Sequence, residues 1–315
     1  MTVKYAWVAG DVLTNSNWSL SSSSYQATSA PGPSDAAYLN GKLMTMANTN
    51  EAWNPGAISD GGLAGVVNMT GSGASLTVVG AITTTVPCTA GFENGIISTH
   101  GASQSVACGS LAVSGGGGGI GAGGGFAPSI SFSGGANVNG SGSTGVSIYS
   151  LAGNIHAVVS GNITVGTGAT GLLCNGNTNA TITNVIGNVT ASGAGATAIF
   201  GSANVTGQIA ASSGAYAVQQ APIGDMETIV ANLIDLRNGG KLQMAGMASV
   251  CAQFLTDATS VFTGNGILLA VGPIANPPPS AITVIPLAGL AQTKLGTPVL
   301  NGLVGTLLSS SRVII

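Results

Sequence analysis

From Asn94 to Gly224 the chain contains no Asp, Glu, Lys or Arg. A monomeric domain normally stays soluble by interspersing charges over its surface, so a stretch this long without any is not an ordinary mixed surface. Short apolar pieces recur within it. Gly145-Val146-Ser147-Ile148, Gly168-Ala169-Thr170-Gly171-Leu172, Gly195-Ala196-Thr197-Ala198-Ile199 and Gly214-Ala215-Tyr216-Ala217-Val218 follow one plan, their first glycines 23, 27 and 19 positions apart. A second signal precedes each: Asn137-Val138-Asn139, Asn162-Ile163-Thr164, Asn188-Val189-Thr190 and Asn204-Val205-Thr206. The pair occurs once more upstream, as Asn68-Met69-Thr70 and Gly73-Ala74-Ser75-Leu76. Each copy is too small and too apolar on one side to fold alone, so the copies must stack to bury that side. The expectation is an all-β chain, a parallel β-helix or solenoid of irregular coils of about 19–27 residues. A chain this rich in Gly, Ala, Ser, Thr and Asn also generates imperfect repeats by chance, and that alternative stays open here.

Composition excludes several other classes. With 51 Gly, 5% charged and 4% aromatic residues the chain lies far from the globular average. Its 44% hydrophobic residues and its β-branched content set it apart from disordered chains, which are poor in both. No run of about 18 apolar residues is available for a membrane-spanning helix. Met1-Thr2-Val3-Lys4-Tyr5-Ala6-Trp7 lacks the apolar core and small-residue site of a secretory signal. Net charge is −3 with six basic residues, which predicts neither a nucleic-acid footprint nor membrane insertion. Cys88, Cys108, Cys174 and Cys251 lack metal or redox spacing and are expected to be small buried apolar residues.

Taken in order, residues 1–60 differ from the rest. Trp7 and Trp18 fall here, followed by the turn cluster Pro31-Gly32-Pro33-Ser34-Asp35 and the apolar Ala36-Ala37-Tyr38-Leu39. Trp7, Asn17-Trp18-Ser19, Pro33, Asp35 and the Ala-Tyr-Leu piece resemble the opening found before β-helical regions of bacterial and phage surface proteins. An open apolar end must be covered, and large aromatic rings do that well. Residues 1–60 are therefore expected to be an N-terminal cap or attachment region. Residues 61–276 are the repeat region, with strand-like pieces such as Leu76-Thr77-Val78-Val79 and Ile82-Thr83-Thr84-Thr85-Val86.

The run from Ser114 to Phe126 holds Gly115 to Gly119 and Gly123 to Gly125, which predicts a flexible loop. Its composition also resembles glycine-rich phage adhesins, a resemblance that implies receptor-binding loops and makes Gly119, Ile120, Gly121 and Phe126 the candidate binding residues. No Lys-Ser or Lys-Thr follows, so a phosphate loop is not expected. Residues 225–237 fit either a helical face or a strand, with the balance towards strand. Pro277-Pro278-Pro279 marks a boundary, and residues 277–315 are expected to form a C-terminal β-rich oligomerisation segment, because an apolar terminus needs a partner to cover it.

For chemistry the supply of residues is small. The acids are Asp11, Asp35, Glu51, Asp60, Glu93, Asp225, Glu227, Asp235 and Asp257. Stacking can bring Glu93 near His100, or Asp225 together with Glu227, and paired carboxylates would serve glycoside hydrolysis. No motif fixes such a geometry, so these charges are expected on turns and ends. His100 and His156 are far apart without a third ligand, and no metal or cofactor is expected. The Asn-x-Thr and Asn-x-Ser triplets are read as Asn at turns and Thr in strands.

In architecture and composition the chain resembles phage tail fibres and tailspike-like appendages. That resemblance implies a homotrimer on the virion, made in the host cytoplasm, held to other virion proteins by its N-terminal region and meeting host glycan. Alternatives are a capsid decoration protein or head fibre, a polysaccharide-degrading hydrolase or lyase, and a bacterial adhesin on the cell surface.

Overall fold

The computed structural model describes residues 1–87, 95–123, 128–150, 156–176, 182–220, 227–245, 248–271, 274 and 278–286. The protein is all-β: among the described residues the only helical turn is the 3-10 turn Asn15–Asn17. The strands form two long sheets whose neighbours are almost all parallel. In the smaller sheet, strands including Leu43–Met46, Val66–Met69, Ile97–Thr99, Gly118–Gly123, Thr144–Ser150, Thr170–Gly176, Thr197–Gly201 and Tyr216–Gln219 each pair with the next in chain order. Between one of these strands and the next, the chain passes through the larger sheet and returns.

Register shows why those pieces stack. Met44, Val67, Ile97, Ile120, Val146, Leu172, Ile199, Val218, Leu242 and Phe262 are successive partners across the smaller sheet, and all are buried. One apolar side chain per circuit therefore builds a continuous interior column, each burial stabilising by roughly 1.5–3 kcal/mol. Steps along this column run from 19 positions (Ile199 to Val218) to 30 (Val67 to Ile97). The longest step exceeds the sequence expectation and contains residues 88–94, outside the described set.

The larger sheet bends once per circuit. Ser75–Thr84 and Ser105–Val113 run through the bend as long strands with a register shift between Cys108 and Ser110. In the next three coils the strand divides, as in Ser129–Phe132 and Ala136–Val138, and from Ala203–Ser212 it is continuous again with a shift between Val205 and Gln208. Glycines occupy the bend because adjacent backbones come too close for a Cβ there. Gly80 N donates to Gly56 O at 2.7 Å, and Gly134 N to Gly109 O at 2.6 Å. A Cβ on Gly109 would lie 2.8 Å from Gly80 O, and one on Gly134 would lie 2.8 Å from Gly109 O.

A second glycine column occupies the turn entering the smaller sheet. Gly142, Gly168, Gly195, Gly214 and Gly239 have φ of 78°, 70°, 71°, 83° and 80°, a left-handed conformation costly to other residues. Gly142 N donates to Gly168 O, and Gly168 N to Ala194 O, both at 3.1 Å. Three of the four glycines singled out in the sequence thus share one setting. Gly145 does not: it lies inside a strand, where a Cβ would meet Gly171 O at 2.7 Å. Of the Asn signals, Asn162 and Asn188 are equivalent, with Asn162 Oδ1 accepting Asn188 N and Asn188 Oδ1 accepting Gln208 N, each at 2.9 Å. Asn137 instead lies opposite Thr164, and Asn204 opposite Asn184.

Two expectations are settled in detail. The glycine run is corrected in part: Gly115 and Gly116 do form a turn, with φ of 62° and 82°, but Gly118–Gly123 is a strand, buried along its whole length between Ile97–Thr99 and Thr144–Ser150. Paired backbone on both sides removes the freedom glycine would otherwise have. Thr228–Asp235 is a strand, its Ile229 and Ile234 fully buried.

At the N-terminal end Thr2–Ala6 pairs parallel with Asp35–Tyr38 and antiparallel with Trp18–Ser19. Trp18 and Trp53 are buried against each other at 5.8 Å, their indole N–H groups donating to Val12 O (2.9 Å) and Pro31 O (3.0 Å). Lys4 and Asp35 form a 2.8 Å ion pair beneath this surface. Parallel pairing crosses residues 60 and 61 unbroken, from Asp35–Tyr38 to Ala57–Ser59 to Ser75–Thr84. At the other end Ile282–Pro286 pairs with Gly266–Val271 beyond the prolines. Residues 287–315, most of the expected oligomerisation segment, lie outside the described residues, as does Pro277.

Candidate functional site

Four of the located acids, Asp35, Asp60, Asp235 and Asp257, are committed to turns and ion pairs. Asp60, 1% exposed, accepts from Gly62 N (3.0 Å), Thr84 Oγ1 (3.1 Å), Val86 N (3.1 Å) and the backbone and hydroxyl of Thr85. It fastens one coil to the next. Asp35 is held below the usual carboxylate range by the Gly32 N–H and then by Lys4. Asp235 is lowered chiefly by its hydrogen bond from Arg237. Asp257 is lowered to about 2 by Thr259 Oγ1 and the N–H groups of Asn238 and Thr259.

His100 meets Ser98 Oγ at 2.7 Å, and burial lowers its pKa, favouring the neutral ring. His156 opens the strand His156–Ser160. Glu93 and Asp225, members of the two acid pairings expected from sequence, lie outside the described residues. Cys108, Cys174 and Cys251 are free and buried, and burial pushes their thiols up to about 12, 12 and 11, away from the reactive thiolate. Cys88 lies outside the described residues. Among the described residues no group of three or more His, Cys, Asp or Glu is arranged for a metal, and no helix is long and apolar enough to cross a membrane.

Concavity appears instead on the outside of the larger sheet. A groove of about 460 Å³ crosses four successive strands, lined by Thr77, Val79, Ala107, Gly109, Ser131, Ser133, Ser160 and Gly161, with Cys108 and Phe132 beneath. Thr77, Ala107, Ser131 and Ser160 are successive register partners, so the small side chains of one outward row form its floor. With strands about 4.8 Å apart, four rungs span about 14 Å. Glycines at the bend remove side chains from one wall, which deepens it. No charged residue lines the groove; its polar groups are the hydroxyls of Thr77, Ser131, Ser133 and Ser160. Val79 (60% exposed) stands on its rim, and Ile186 (53%) lies one rung beyond Ser160.

The residues favoured from sequence sit elsewhere. Ile120 is in the interior column, and Gly119 and Gly121 are buried in the same strand of the smaller sheet. Phe126 lies outside the described residues. The groove residues were missed because they share no residue type and are unequally spaced, 30, 24 and 29 positions apart.

A different surface marks the N-terminal end. Tyr5 and Tyr38 meet edge to face at 5.5 Å, and Trp7 packs on Tyr25 at 6.0 Å. Val8, Leu13, Leu20 and Tyr25 are all exposed beside them in sequence. Aromatic rings with one polar end are enriched where proteins meet. No protein-family model, curated protein or solved structure matches this chain.

Proposed function

We propose that this chain is a β-helical structural protein of a virion, a tail fibre or spike-like appendage that attaches to the host surface through a neutral glycan. The uncharged groove carries this reading. Sugar hydroxyls both donate and accept, and so do the serine and threonine hydroxyls on three of the four rungs of the groove. A neutral lining binds such a ligand without stripping water from charges. Exposed Val79 and Ile186 offer apolar contact near its two ends. Lateral association as a homotrimer would leave few charges to desolvate, and the aromatic N-terminal surface suits docking to other virion proteins.

The test is binding to intact host cells and to a panel of neutral polysaccharides, comparing the native chain with Ser131→Trp, which fills the groove from a half-buried, outward-facing position. The expected loss is about tenfold or more in affinity, equivalent to about 1.4 kcal/mol. Equal binding by both proteins removes the groove from the function, and no binding to any cell or glycan removes attachment itself. Labelled antibody on intact particles separates a tail location from a capsid decoration. Release of oligosaccharide would move the reading to a degrading spike.

A further inference from the structure

We propose that Asp11, Asn48 and Glu51 form a calcium site that ties the N-terminal segment to the first complete coils. Asp11 ends the short strand Gly10–Asp11, which pairs with Leu43–Met46; Asn48 follows that second strand and Glu51 precedes Ala52–Trp53. The fold thereby brings three oxygen-bearing side chains to one corner. Asn48 Nδ2 lies 3.2 Å from Asp11 Oδ2 and 3.2 Å from Glu51 Oε2. Asp11 Oδ1 accepts Leu13 N at 2.7 Å, and Glu51 Oε2 also accepts Asn48 N at 3.0 Å.

The second Glu51 oxygen points to a ligand. Glu51 is 6% exposed, and its Oε1 is buried with no hydrogen-bond partner. A carboxylate removed from water needs compensation by a cation or by hydrogen bonds to both oxygens. Among the described residues no basic side chain forms an ion pair with Asp11 or Glu51. One neutral amide cannot balance two carboxylates. A cation bound between the carboxylates would turn the Asn48 amide by half a turn, replacing the nitrogen that now donates to both with a carbonyl oxygen and making all three side chains acceptors. Carboxylates and an amide carbonyl in an irregular, partly open cluster suit calcium, which takes six to eight oxygens in flexible geometry and completes its shell with water. Magnesium demands near-ideal octahedral geometry and dehydrates reluctantly, so it is expected to bind more weakly here.

The test uses the full chain, stripped with EDTA and titrated with calcium chloride, following thermal unfolding and terbium luminescence. Calcium is expected to raise the Tm by several degrees, magnesium much less, and terbium to bind once per chain and be displaced by calcium. Glu51→Gln and the more exposed Asp11→Asn are each expected to abolish both responses, while Asp257→Asn keeps them. The proposal is overturned if Tm is the same in EDTA and calcium and terbium does not bind. It is overturned equally if magnesium matches calcium, or if Asp11→Asn raises Tm identically with and without calcium, which would mark simple repulsion between two acids.

Discussion

The N-terminal sixty residues and the uncharged middle of the molecule hold parallel strands together by different means. Near the N-terminus the joints are made by particular side chains: the Lys4–Asp35 pair, the Trp18 and Trp53 indoles, and the five-fold hydrogen bonding of Asp60. In the middle they are made chiefly by the backbone, with glycines at the bends and turns, one Ile, Val or Leu per circuit inside, and only neutral side chains such as Asn162 and Asn188 bridging coils. A stacked chain can thus dispense with charge wherever identical geometry repeats. It needs particular side chains where the repeat begins and its apolar interior would otherwise meet water.

The largest expected effect is at the beginning of the stack. Trp18→Ala removes a fully buried ring and an indole hydrogen bond, and is expected to cost about 3–5 kcal/mol in chemical denaturation. A loss below about 1 kcal/mol would show that the two ends of the comparison are not different in kind. In the middle, Gly109→Ala places a methyl against the Gly80 and Val79 carbonyls, each 2.8 Å away. The neighbouring coils must then part, at an expected cost of about 1–3 kcal/mol. A neutral or stabilising result would mean that the bend is looser than its hydrogen bonds imply.

Acid separates the regions further. Asp35 has its pKa lowered on folding, so its contribution is complete above the unfolded value of 3.8 and is lost as pH falls through the lower folded value. Hydrogen exchange at pH 2.5 against pH 6, corrected for intrinsic rates, is expected to show protection falling in Thr2–Ala6 and Asp35–Tyr38. Protection in Thr144–Ser150 and Thr170–Gly176, which carry no acids, is expected to persist. Uniform loss would contradict the distinction. The smallest effect is expected at Thr190→Ala, an exposed position in the outward row, with a change within about 0.5 kcal/mol.

Much of this architecture was legible in the sequence for a physical reason: glycine is required wherever the chain turns left-handed, so Gly168, Gly195 and Gly214 mark the same turn. Asn162 and Asn188 were legible likewise, since each side chain receives the next coil's N–H. Gly145 was grouped with the turn glycines because its following residues look alike, although its place is set by close approach to Gly171. Gly118–Gly123 was read as a continuation of the turn at Gly115 and Gly116 because composition does not reveal pairing partners 23 and 26 positions away. Neither Asp60's grip on Thr84 to Val86 nor the groove could be seen, since both depend on coils of unequal length falling into register.

The stacking itself is measurable by spin-label distances along one outward row. Ser59, Thr83, Ala112, Asn137, Thr164 and Thr190 are successive partners, and the buried thiols of Cys108, Cys174 and Cys251 should escape labelling, with Cys88 replaced by serine. With one label at Thr190 and a second at Asn137, Thr83 or Ser59, in chains diluted with unlabelled protein, backbone separation should grow by about 4.8 Å per coil, reaching about 24 Å at Ser59. Distances that do not rise with the number of intervening coils would contradict the stacked arrangement.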